Sequence, residues 1–197
     1  MANPNNPFGF KPVRHLDGSP FNSQGQLCFV PSSDGTALYV GDVVKLLLPG
    51  GADPNGYGCP QVVAAGASDT PYGVVMGVDP VLDGGTPNLY ISYRPASTGK
   101  YLYVCNERDI IFDVQVSAAS AAADIGKNAS LKTGTGSTTS GLSGMTLDSS
   151  TIATTNTLQF HILACSLAPQ GNTLGSNYAV YSVVPNIHAL AFSTAGV

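Results

Sequence analysis

The chain has 197 residues, of which 43% are hydrophobic and only 10% are charged. That is enough length for one core burying roughly 70% of its unfolded surface, and the opposite of the low-hydropathy, high-charge balance of a disordered chain. A net charge of -4 and a pI near 5.0 argue against a nucleic-acid binder, whose affinity rests on Lys and Arg neutralising phosphates, and no apolar run approaches the roughly 18 residues of a membrane helix.

Residues 1–25 carry Pro4, Pro7, Pro12 and Pro20, which exclude a helix and disfavour sheet pairing, so an extended N-terminal arm is expected. Phe8, Phe10, Val13, Leu16 and Phe21 make the arm too apolar to trail free in water. Fully extended it would span roughly 80 Å, enough to reach a neighbouring subunit. Met1 is followed by Ala, Asn and Pro and not by a basic and then apolar run, so no secretion signal is expected and synthesis in the host cytoplasm is implied.

Residues 26–197 read as one β-rich domain of short strands cut by Gly, Pro, Asp and Asn, with a possible subdivision near 117–126. The expected strands are Leu27 to Val30, Ala37 to Val40, Val43 to Leu48, Gln61 to Ala65, Tyr72 to Val78, Leu89 to Tyr93 and Tyr101 to Cys105. Ile110, Phe112, Val114 and Val116 alternate with Asp113 and Gln115, a period-two strand with one face inward. Leu158, Phe160, Ile162 and Ala164 alternate in the same way with Gln159 and His161, which places those two outward, and Tyr178 to Val184 is a further strand. Ala-rich Ser117 to Asp124, ahead of Gly126, is the one expected helix. The fold class is therefore all-β, an antiparallel barrel or sandwich of roughly ten short strands with one short helix and the arm.

Cys28, Cys59, Cys105 and Cys165 are too widely spaced for a zinc or redox motif and read as reduced thiols, mostly packed as small hydrophobes. Gly171 to Gly175 has Thr where a nucleophile elbow needs Ser, and Gly134-Thr135-Gly136 lacks the rest of a phosphate or dinucleotide loop. Glu107 and Asp109 offer paired carboxylates for acid–base work or calcium, but a local charge pair with the intervening Arg108 is the preferred reading. Asp79 and Asp83 lack calcium-loop spacing, and Asn128-Ala129-Ser130 fits a glycosylation pattern by chance. His15, His161 and His188 show no catalytic context. No residue is assigned to catalysis, a cofactor or a metal.

From Thr133 to Val197 the 65 residues carry a single ionised side chain, Asp148, and 14 of the 25 residues between Thr133 and Thr157 are Ser or Thr. A solvated surface ordinarily carries about a quarter to a third charged residues, so this half is expected to lie partly against other protein. The candidate interface residues are Phe8, Phe10, Arg14 and Phe21 of the arm, with Gln159 and His161 of the charge-free half.

The run Ala123-Asp124-Ile125-Gly126-Lys127-Asn128-Ala129-Ser130-Leu131, then Gly136 to Gly144 and a strand ending near Pro169, resembles structural proteins of tailed bacteriophages. Asn5-Asn6-Pro7-Phe8-Gly9-Phe10 and the closing Val183-Val184-Pro185-Asn186-Ile187-His188 extend the resemblance over most of the chain. It points to capsid decoration, or cement, proteins of the phage head. The resemblance implies a non-enzymatic virion protein on the capsid exterior that binds the major capsid protein as a homo-oligomer, without nucleic acid, membrane or cofactor. Another virion component, such as a tail, fibre or head-spike module, is the alternative, and a carbohydrate-binding or hydrolytic β module stands behind it.

Overall fold

The computed structural model describes residues 3–47, 53–80, 89–167 and 171–191; Leu48, Asp83 and Pro169 lie outside them. The strands are β1 (Lys11–His15), β2 (Gln26–Val30), β3 (Val43–Leu46), β4 (Val62–Ala64), β5 (Gly73–Val78) and β6 (Lys100–Cys105). They continue as β7 (Ile110–Gln115), β8 (Asn128–Ala129), β9 (Leu131–Lys132), β10 (Thr146–Leu147), β11 (Phe160–Cys165) and β12 (Val180–Pro185). One antiparallel sheet runs β1-β7-β12-β11-β8, a second runs β2-β6-β5-β3-β4, and β9 and β10 form a short ribbon. The fold is an all-β sandwich.

Two large cores and a small cluster of Phe29, Cys59 and Tyr101 hold the described residues together. Phe10, Val74, Ile110, Phe112, Val114, Phe160, Ile162, Tyr181 and Val183 fill the space between the sheets. The other face of the second sheet is also dry, with Cys28, Val30, Leu38, Val44, Val62, Val75, Leu102 and Val104 packed together. The sheet curls to achieve this: the Phe29 N–H donates to the Pro60 carbonyl at 2.9 Å, and a bridge from Phe29 to Gln61 joins the edge at β2 to the edge at β4. The curled loops are pinned by Arg94, fully buried, whose guanidinium donates to the carbonyls of Pro31, Asp34, Thr36 and Thr98. Five rigid donors on one planar group suit this convergence of backbone acceptors. Burial lowers its pKa, while the Asp34 carboxylate at 3.5 Å opposes that shift.

The N-terminal segment departs from the sequence expectation. It pairs: β1 lies antiparallel to β7, Lys11 opposite Asp113 and His15 opposite Ile110. Pro12 is tolerated because β1 is an edge strand and the ladder carries a bulge between Pro12 and Arg14. Upstream, Asn6 N–H donates to Gln115 Oε1 and Gln115 Nε2 donates to the Pro4 carbonyl, while Asn3 bonds Thr173 and Asn177. From Asn3 onward the arm therefore lies on its own domain. It also explains why all six residues of β7 are buried. The face of Asp113 and Gln115, read from the alternation as outward, is covered by the arm and by Ser166 and Ser182, whose hydroxyls donate to Asp113 at 2.6 and 2.7 Å.

The expected helix is a single 3-10 turn, Ala122–Asp124. Eight residues cannot repay helix nucleation unaided, and here the flanking polar groups are engaged elsewhere: Ser117 N–H with Leu147, Ser120 Oγ with the Ser176 carbonyl. Gly126 does turn the chain, with φ +85°. Ala37 to Val40 contributes only isolated bridges, Leu38 to Arg94 and Val40 to Leu142, and Leu89 to Tyr93 forms turns instead of a strand. The cysteines are free thiols, three of them buried.

Candidate interaction surface

A cleft of about 610 Å³ lies where the N-terminal segment meets the second sheet. Its walls are Phe8, Phe10, Pro12 and Phe21 on one side and Val40, Val75, Met76 and Leu142 on the other, with Lys11 and Asp113 as its charged members. Two glycines make the junction. Gly9 and Gly41 both have positive φ, +77° and +94°, and cross so closely that a Cβ on Gly9 would sit 2.5 Å from the Gly41 carbonyl oxygen. The crossing lets the Phe10 N–H reach that oxygen at 2.9 Å and sends the Phe10 ring into the core, leaving Phe8 half-buried on the cleft wall. Met76 reaches the cleft because it is the bulged residue of β5, between Val75 and Gly77.

The candidate interface residues fall into three environments. Phe8 and Phe21 are half-buried and line the cleft, and Arg14 is exposed. Phe10 is corrected from interface to core: it is 1% exposed and stacks on Phe160 with ring centroids 4.5 Å apart. Gln159 is corrected as well, being 1% exposed and not outward. It precedes β11, outside the alternating register, and faces inward: Oε1 accepts from Leu131 N–H, and Nε2 donates to the carbonyls of Gly66 and Asp69. His161 is half-buried, with Nδ1 2.7 Å from Asn128 Oδ1. The alternation of β11 fails at its other end too, where a bulge between Ile162 and Ala164 turns Ala164 out to solvent. Val40, Met76 and Leu142 were not singled out from sequence, because the cleft joins segments distant in the chain.

Beside the cleft, Asp42 is buried at 3% exposure and accepts from Ser143 Oγ at 2.5 Å and from Tyr39 N–H at 2.7 Å. Burial raises its pKa from 3.8 to about 6, more than these two hydrogen bonds lower it. The folded state thus holds this proton more tightly than the unfolded chain does. The resulting stabilisation is fully present below pH 3.8 and is lost as pH rises through about 6. It amounts to about 3 kcal/mol. Urea unfolding of the wild type and of Asp42→Asn, at pH 4 and pH 7, should show the variant gaining about this much relative to wild type at the higher pH. A pH-independent difference would assign Asp42 an ordinary, solvated carboxylate. His188, also buried, has its pKa lowered to about 4, by burial first and then by the nearby Arg108 charge, and is a neutral core group at neutral pH.

The rest of the surface is unusually poor in charge. Seven of the twenty charged side chains are buried: Asp42, Asp53, Asp79, Arg94, Lys100, Asp113 and Asp124. At most thirteen remain for an accessible surface of 9519 Å², about one per 730 Å². Apolar side chains stand out of it instead, among them Leu16 at 56%, Leu142 at 42%, Tyr90 at 98% and Leu167 at 96% exposure. Compared with family models, curated proteins and solved structures, the chain matches none of them.

Proposed function

We propose that this protein is a capsid decoration protein of a tailed bacteriophage, a cement that binds the outside of the shell and bridges neighbouring subunits of the major capsid protein without turnover. The observation that carries the reading is the surface just described, with few charges and protruding apolar side chains. Desolvating a charge is costly, and the centres of protein interfaces are depleted in Asp, Glu and Lys and enriched in aromatic residues. The phage resemblance of the 123–144 and 183–188 segments supplies the class of partner.

Sheet geometry favours docking through side chains over strand addition. The β1 edge is interrupted by Pro12 and capped by a hairpin in which His15 N–H donates to the Ser19 carbonyl, β8 is bridged by Ala153, and β2 is joined to the β4 side. Such interruptions are how sheets avoid edge-to-edge pairing. The anchors are then Phe8, Phe21 and Leu142 of the cleft, with Tyr90.

A protein that binds the assembled shell and not its free subunits shifts the equilibrium toward assembly. Filled heads lacking the chain should therefore release their genome at a lower temperature than decorated heads, and purified protein added from outside should restore the difference. Leu142→Ser with Tyr90→Ser should fold normally and restore it poorly. Equal release from bare and decorated heads, with binding confirmed, would overturn the cement reading. A copy number far below that of the major shell protein would favour a tail or fibre component.

A further inference from the structure

The two carboxylates that flank Arg108 meet a third group that their sequence neighbourhood does not contain. His15, at the end of β1, points Nδ1 at both of them, 3.3 Å from Asp109 Oδ2 and 3.5 Å from Glu107 Oε2, and the three donor atoms all lie within 4.8 Å of one another. The backbone fixes this meeting. His15 is paired with Ile110 in the β1–β7 ladder, and the Leu16 N–H donates to the Asp109 carbonyl at 2.7 Å.

A charge-assisted N–H···O bond is about 2.7–2.9 Å long and points one N–H at one oxygen, whereas here a single nitrogen faces two carboxylates at longer range. The two nitrogen–oxygen spacings match a different centre, with the third, carboxylate–carboxylate spacing within 4.8 Å. Ligands at about 2.0–2.1 Å from a tetrahedral zinc ion stand about 3.4 Å apart along each edge. The two nitrogen–oxygen separations bracket that edge, and one imidazole with two carboxylates is a donor set such ions accept. The side chains of Glu107 and Asp109 are 41% and 56% exposed, so a metal would enter from solvent and keep an outer position for water, while His15, at 17%, forms the inner wall.

We propose that His15, Glu107 and Asp109 form a three-ligand site for a divalent transition metal of the zinc type, clamping the end of β1 to the start of β7. The site is independent of the cement reading, since it needs no partner. Its structural effect is local: it fastens the N-terminal segment that covers β7.

The test is calorimetric titration of the chelator-stripped full chain with ZnCl2, paired with thermal unfolding in zinc and in EDTA. Expected is one equivalent bound per chain with a rise in Tm, and loss of both in His15→Ala and in Asp109→Asn, while His161→Ala keeps the bound equivalent and the zinc-dependent rise. Asp109→Asn, the most exposed change, guards against a folding defect; its Tm in EDTA should equal that of wild type. No zinc binding by wild type, or binding that persists in both ligand variants, would overturn the proposal and leave a histidine in polar contact with two carboxylates.

Discussion

Phe10→Ala is expected to cost about 3–5 kcal/mol in urea unfolding, the range for deleting a fully buried aromatic ring. With total stabilities of about 5–15 kcal/mol, the variant would be close to unfolding. The ring is 1% exposed, stacks on Phe160 and sits in the core between the two sheets. Its neighbour Phe8, half-buried on the cleft wall, should cost about 1 kcal/mol, in proportion to the smaller area it buries. Truncation of residues 2–22 removes the ring, the β1 ladder and the cover over Gln115 together, and should leave no cooperative transition. A truncated chain that melts like wild type would make the segment a detachable arm after all.

Gln159 carries the second large effect. Gln159→Leu keeps the apolar stem but strands the Leu131 N–H, a buried donor whose loss costs about 1–3 kcal/mol, and takes a donor from the half-buried carbonyls of Gly66 and Asp69, the first of which still accepts from the Asp69 N–H. A loss of about 2–3 kcal/mol is expected. Gln159→Glu, nearly the same shape, separates packing from polarity: one oxygen still accepts from Leu131, but the other faces two carbonyl oxygens, so this variant should also be destabilised. His161→Ala, which breaks only the contact with Asn128, should cost about 1 kcal/mol. Equal small effects at 159 and 161 would return both to a solvent face.

The strand pattern was largely legible before the fold was known. Eight of the expected strands lie within a few residues of observed ones, because alternating and continuous apolar runs report directly on backbone period. The misses share a cause. Ala37 to Val40 and Leu89 to Tyr93 have strand-like composition but find only isolated partners or none, and pairing is a property of two segments. The Ala-rich stretch at 117–124 has helical propensity but not the length to nucleate a helix without tertiary support.

The candidate sites divide along the same line. Phe8 and Phe21 could be picked from sequence because an aromatic residue in a Pro-rich, polar segment needs a dry contact; whether that contact is a neighbour or the chain itself was not in the pattern. Phe10 differs from Phe8 only through Gly9 and Gly41, whose crossing 32 residues apart steers one ring inward and leaves the other on the cleft. His15 likewise says nothing in its own neighbourhood and acquires a chemistry only from Glu107 and Asp109, brought to it by the β1–β7 register.

By itself, then, the sequence determined the all-β class, the approximate strands and the scarcity of surface charge, since each of these is a sum over local composition or a short-range period. Tertiary structure decided where the N-terminal segment lies, which face of β7 and which flank of β11 are dry, and which titratable groups meet. Those depend on contacts between residues far apart in the chain, and a buried polar side chain such as Gln159 is stable only where distant backbone groups complete its hydrogen bonds.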